Sequence, residues 1–78
     1  MTLFDRVQDA IAKTLRVPAE KITATTTDEQ IGAWDSVGHV NLMMALEDTF
    51  GISLDVEDFP RLNSVRNIME HLQQQGVH

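Results

Sequence analysis

The residues that could do chemistry cluster at the start of one predicted helix. Asp35, Ser36 and His39 lie within "WDSVGH", and a carboxylate, a serine and a histidine are the groups that nucleophilic catalysis uses. His39 follows Ser36 by three residues, which places both near one side of a helix, and Asp35 or Asp5 could orient the imidazole. No strand-to-helix elbow or evident oxyanion hole accompanies the serine. We therefore favour a non-catalytic role for Ser36 and interpret His39 as a partly buried or surface residue of the helix.

Asp35 and Ser36 also have a purely structural explanation, because aspartate caps helices and serine is common in the first turn. The position of Ser36 argues for more than capping. It follows a long loop and begins a helix, so we expect its hydroxyl to be accessible to solvent. Free amides and partial positive charge at a helix N-terminus favour an incoming phosphate group. The position of Ser36 therefore favours a functional role for its hydroxyl over a purely structural one.

The helix that begins at Ser36 has two apolar stripes on a helical wheel. The first is a conventional core stripe and includes His39, Leu42, Met43, Leu46 and Phe50. The second contains Val37, Val40 and Met44 and is flanked by Ser36, Glu47 and Asp48. Two interpretations of the second stripe remain open: it is buried, as in a central bundle helix, or it faces a partner. An apolar strip beside carboxylates suits docking onto a basic, hydrophobic groove.

Flanking patterns predict the elements that position this helix. Thr2 and Asp5 form a capping-box variant at the start of a first helix that ends near Arg16. Its apolar stripe repeats every four residues through Leu3, Val7, Ile11 and Leu15. Residues 18–34 are rich in threonine and lack strand alternation, which predicts a long ordered loop with one helical turn around residues 19–22.

The remaining elements are also helical. The second helix runs from about Ser36 to Phe50 and stops at Gly51. Residues 55–58 predict one acidic helical turn closed by Pro60. Asn63 or Ser64 caps a last helix, and residues 73–78 are expected to fray. Its core positions are Val65, Ile68, Met69 and Leu72. The predicted fold is all-α: a single domain over residues 1–78, forming a small antiparallel four-helix bundle of three main helices and one short one.

The amino-acid composition argues against several kinds of site and partner. The chain has 78 residues, twelve acidic against six basic ones, and no cysteine, so disulfides and thiolate metal sites are excluded. The three histidines have no ligand spacing, and no metal site is expected. Net acidity argues against nucleic-acid and anionic-membrane partners. No signal peptide or bilayer-spanning segment is evident, so a cytoplasmic protein is expected.

Taken together, these features resemble the acyl carrier protein family. Members share an Asp-Ser-Leu motif at the start of the second helix, which here is Asp35-Ser36-Val37. Length, acidity, the long preceding loop and the following "VNLMMALEDTFGISL" extend the resemblance over the whole chain. The departures are valine for leucine, Trp34 before the motif, and fewer carboxylates in the first turns of the helix. These departures favour a dedicated carrier of a specialised pathway over a housekeeping fatty-acid carrier.

The resemblance implies a function. Ser36 would carry a covalent 4′-phosphopantetheine derived from coenzyme A, attached by a phosphopantetheinyl transferase, with Asp35 as motif residue and cap. Acyl or aminoacyl groups would be held as thioesters and presented to loading and processing enzymes with basic docking surfaces. The implied docking residues are Val37, Val40, Met44, Glu47, Asp48 and Glu57. A non-catalytic monomer is expected, and the alternative is an unmodified helical adaptor with the same fold.

Overall fold

The computed structural model describes all residues, 1–78, and contains helices but no strands. The long helices are α1 (Leu3–Leu15), α2 (Ser36–Phe50) and α3 (Val65–Gln74). A six-residue 3₁₀ helix, Val56–Arg61, is the fourth helix and is called the acidic 3₁₀ helix below. The predicted helical bundle is confirmed. No helix combines the length and the apolar character that crossing a bilayer requires.

Helix α1 forms as its sequence predicts. The Thr2 hydroxyl accepts a hydrogen bond from the Asp5 amide, and the Asp5 carboxylate accepts one from the Thr2 amide, both at 3.1 Å. This reciprocal pair satisfies amides that the first helical turn leaves unpaired. The helix ends at Arg16, which adopts a left-handed conformation at φ 57° and donates its amide to the Ala12 carbonyl.

The loop between α1 and α2 is ordered by hydrogen bonds to α1 and to the segment before α3. Its predicted helical turn is confirmed as a 3₁₀ turn at Ala19–Lys21. The Gln8 side-chain amide of α1 donates to the carbonyls of Ala19 and Ile22, each at 2.9 Å. On the other side, the Asp28 amide donates to the Asn63 carbonyl at 2.9 Å, just before α3. The loop is thereby fixed to two helices.

Three details of the helices differ from the predictions. A second 3₁₀ turn at Asp28–Gln30, with Thr27 and Gln30 forming a capping box, was not predicted within the threonine-rich stretch. Pro60 lies inside the acidic 3₁₀ helix and does not close it, because its fixed φ suits 3₁₀ geometry. Helix α3 continues to Gln74, past the expected start of fraying at Gln73, and the Val77 amide bonds back to the Leu72 carbonyl.

The core is built where the three long helices meet. Of the first apolar stripe of α2, Leu42, Met43 and Leu46 are buried, and Phe50 is half-buried beneath the Arg6 guanidinium. Ser64 caps α3 by accepting from the Asn67 amide. The buried positions of α3 are Val65, Ile68 and Leu72, while Met69 is half-buried. Helix α1 packs along α2 and α3, whereas the acidic 3₁₀ helix contacts the core through the half-buried Phe59 ring.

Candidate functional site

The start of α2 is fixed by a hydrogen bond between Asp35 and Gly38. The Asp35 carboxylate accepts a hydrogen bond from the Gly38 amide at 2.8 Å and caps the helix, as predicted. Ser36 is the first helical residue and is exposed. Because Asp35 does the capping, the Ser36 hydroxyl is not needed for helix initiation. An exposed hydroxyl at a rigid helix start is a suitable acceptor for a group delivered from solution.

Gly38 allows the loop to lie against this first turn. A Cβ atom at Gly38 would lie 2.2 Å from the Ala33 carbonyl oxygen and 3.1 Å from a Leu15 methyl carbon. The first approach requires the backbone to move, and the second requires the Leu15 side chain to shift by a few tenths of an ångström. The glycine therefore fixes how closely the residues before Ser36 approach α2, and sequence reasoning did not identify this role.

The second apolar stripe of α2 is exposed. Val37 is 70 % exposed, Val40 47 % and Met44 57 %, so the stripe is not buried and is accessible to a partner. Val56, at the start of the acidic 3₁₀ helix, is a further exposed apolar residue at 76 %. Sequence reasoning missed Val56 because a single valine in an acidic segment carries no helical pattern.

The predicted carboxylates near this stripe differ from one another. Asp48 and Glu57 are exposed. Glu47 is half-buried, and its carboxylate accepts a hydrogen bond from the Leu54 amide at 2.9 Å. Glu47 therefore stabilises the turn that follows α2, and this is a structural role besides the predicted docking role. The chain turns at Gly51, between Glu47 and Leu54, so no helix or strand pattern in the sequence would reveal this contact.

His39 links three segments next to Ser36. Its Nδ1 accepts a hydrogen bond from the Trp34 indole nitrogen at 2.9 Å, and its Nε2 lies 2.7 Å from the Phe59 carbonyl oxygen. Since a carbonyl can only accept and the indole can only donate, the imidazole is the neutral tautomer with its hydrogen on Nε2. The imidazole and indole rings are nearly coplanar, at 22°, with centroids 6.3 Å apart, as an edge-to-edge hydrogen bond between ring nitrogens requires.

This arrangement does not assemble a catalytic triad. Both nitrogens of His39 bond to groups other than Ser36. The Asp35 carboxylate is held by the Gly38 amide, and the Asp5 carboxylate by the Thr2 amide in α1. The site thus consists of an exposed serine, a capping carboxylate and a hydrogen-bonded histidine that fixes the surrounding segments.

The sequence matches the family model described as phosphopantetheine attachment site over residues 5–72. This match covers the capping aspartate, the exposed serine, all of α2 and most of α1 and α3. The chain belongs to this family of acyl carrier protein type, whose members carry covalently attached 4′-phosphopantetheine. The protein is accordingly a phosphopantetheine-dependent carrier.

Proposed function

We propose that Ser36 is the phosphopantetheine attachment residue and that the protein presents acyl or aminoacyl groups to biosynthetic enzymes. The observation that carries this proposal is the exposure of Ser36 at the start of α2, within the family match. When attached, the arm supplies a terminal thiol that holds the carried group as a thioester. The chain lacks cysteine, so the reactive thiol belongs to the arm alone.

The residues around Ser36 fit a phosphodiester. Asp35 fixes the first turn, and the amides and partial positive charge of a helix N-terminus favour the negative phosphate. Within the chain, the role of these residues is to hold the hydroxyl in a constant orientation. The chemistry of loading and processing stays with the partner enzymes.

The proposed partner surface is the exposed stripe of α2 together with nearby carboxylates. It contains Val37, Val40, Met44, Glu47, Asp48 and Glu57. No carboxylate, lysine or arginine occurs from Ser36 to Leu46. Partner enzymes therefore contact mainly apolar side chains near the serine, and basic groups of the partner meet Asp48 and Glu57 further along. This pattern favours weak, exchangeable docking. The scarcity of carboxylates near Ser36 favours a specialised pathway, such as polyketide-like synthesis, over housekeeping fatty-acid synthesis.

Intact mass spectrometry tests this function. Incubation with coenzyme A and a broad-specificity phosphopantetheinyl transferase should add one phosphopantetheinyl group to the parent protein and none to Ser36→Ala. Ser53→Ala is the matched control, because Ser53 is also exposed but lies after α2; it should be modified like the parent. A folded parent that starts unmodified and gains no mass would favour the adaptor function.

A further inference from the structure

Two hydrogen bonds fasten the acidic 3₁₀ helix region to α2. One joins the Leu54 amide to Glu47, and the other joins the Phe59 carbonyl to His39. Glu47 and His39 are about 12 Å apart along the axis of α2. The segment therefore runs backward beside α2 and is held near both of its ends.

At about 100° per residue, Glu47 lies within about 60° of both Val40 and Met44 around α2. The segment fastened at Glu47, which contains Val56, therefore runs along the edge of the exposed stripe. Val56 follows Leu54 and precedes Phe59, so it lies between the two fastenings, as does Met44 on α2. Both side chains are more than half exposed. The apolar surface next to Ser36 is thus composed of two elements, and its shape depends on how the acidic 3₁₀ helix is held.

The acidic 3₁₀ helix has two further attachments. The half-buried Phe59 ring packs against the core, and the Arg61 carbonyl accepts a hydrogen bond from the Asn67 side-chain amide of α3 at 2.9 Å. Short 3₁₀ helices have poor internal hydrogen-bond geometry and depend on tertiary contacts. The His39 bond is the fastening nearer to Ser36, and Trp34 fixes the orientation of the imidazole from the other side.

We propose that His39 is a positioning residue for partner docking: it holds the Phe59 carbonyl so that Val56 forms one apolar surface with Val40 and Met44. The occupant of this surface is the phosphopantetheinyl transferase, contacting it through an apolar patch of its own. The transferase has to reach the Ser36 hydroxyl, so it must cover the exposed side chains of the adjoining turns, and these carry no charge between Ser36 and Leu46. The inference rests on the proposed function. It gives His39 a role in the modification of Ser36, although His39 does not itself contact the reacting atoms.

The kinetic test uses phosphopantetheinyl transfer with the protein as the varied substrate. His39→Ala should raise KM by about threefold to tenfold, the effect of losing roughly one hydrogen bond, with kcat nearly unchanged. A KM increase at constant kcat identifies lost docking. His39→Gln, which keeps a donor and an acceptor, should recover most of the loss. His71→Ala is the matched control and should leave KM unaltered, since the His71 side chain on α3 bonds only to Gln75.

A double-mutant cycle with Val56 shows whether His39 acts through the acidic 3₁₀ helix. Val56→Ser changes an exposed side chain and should raise KM in the parent background. In the His39→Ala background it should add much less, because the valine is no longer held beside α2. Fully additive effects, or a His39→Ala variant with unchanged KM while the parent is modified, would overturn the proposal.

A second measurement does not depend on any enzyme. NMR order parameters for residues 56–60 should fall in His39→Ala and in Trp34→Phe, which keeps an aromatic ring but removes the indole donor. Order parameters of α1 should stay at the parent values. If the parent is never modified, the proposed function fails, and this measurement still decides the positioning role: unchanged order in residues 56–60 in both variants would refute it.

Discussion

At the scale of single residues, three polar side chains at the start and end of α2 have separate tasks. Asp35 caps the helix, His39 joins Trp34 to Phe59, and Glu47 holds the turn that follows the helix. Ser36 has none of these tasks. A residue that the fold does not need, at a position that the fold holds rigidly, is well suited to carry a covalent group.

The hydrogen bond between Glu47 and the Leu54 amide predicts that removing Glu47 and removing the adjacent Asp48 have different effects on stability. Glu47→Ala leaves the Leu54 amide without its charged acceptor and should lower the free energy of unfolding by about 1.5–3 kcal/mol. Asp48→Ala, at an exposed neighbouring position, should change it by less than about 0.5 kcal/mol. Urea denaturation of both variants measures this difference. Equal stabilities of the two variants would show that the Leu54 hydrogen bond contributes little.

At the scale of elements, sequence patterns predicted the helices well and their connections poorly. The capping box at Thr2 and the caps at Asp35 and Ser64 are local signals, and the structure confirms each of them. The acidic 3₁₀ helix extends beyond its predicted end because 3₁₀ geometry tolerates Pro60.

The cluster around His39 was only partly predictable. A buried tryptophan usually needs a partner for its indole N–H, and a histidine on a core stripe needs partners for its nitrogens. Those two facts could have paired Trp34 with His39. The Phe59 carbonyl is a backbone acceptor twenty residues away and has no sequence signature. Its position depends on how the chain turns after α2.

The packing at Gly38 predicts an unusual response to a helix-favouring substitution. Alanine normally stabilises a helix relative to glycine by about 0.8–1.0 kcal/mol. Here the added methyl group would collide with the Ala33 carbonyl, so Gly38→Ala should reduce stability by about 1–3 kcal/mol. Gly32→Ala is the control, because its Cβ meets nothing within 4 Å, and it should not destabilise the fold. Thermal unfolding measures both; a stabilised Gly38→Ala variant would contradict the close approach.

At the scale of the whole molecule, acidity is the dominant electrostatic feature. The formal net charge is −6, and Asp55, Glu57 and Asp58 follow one another closely after α2. Only Asp58 of these three has a basic partner, Arg61. Self-repulsion of this kind destabilises a compact state and is screened by salt.

This charge predicts a melting temperature that depends on salt. Raising the ionic strength from about 0.01 M to 0.15 M shortens the Debye length from about 30 to 8 Å. If screening weakens the charge repulsion by on the order of 1 kcal/mol, Tm should increase by about 4–8 °C for a domain of this size. Glu57→Gln should raise the low-salt Tm, whereas Asp9→Asn should not, because Asp9 pairs with Lys13 at 3.0 Å. A Tm indifferent to salt would contradict this account of the charge.

The most direct test of the central claim is to locate the modification within the transferase-treated protein. Trypsin should release residues 22–61 as one peptide, which contains Ser36, Ser53 and several threonines. Fragment-ion mass spectrometry of this peptide identifies the residue that carries the phosphopantetheinyl group. The account predicts the added mass on Ser36 alone. Its appearance on Ser53 or on a threonine would contradict the assignment of Ser36 as the attachment residue.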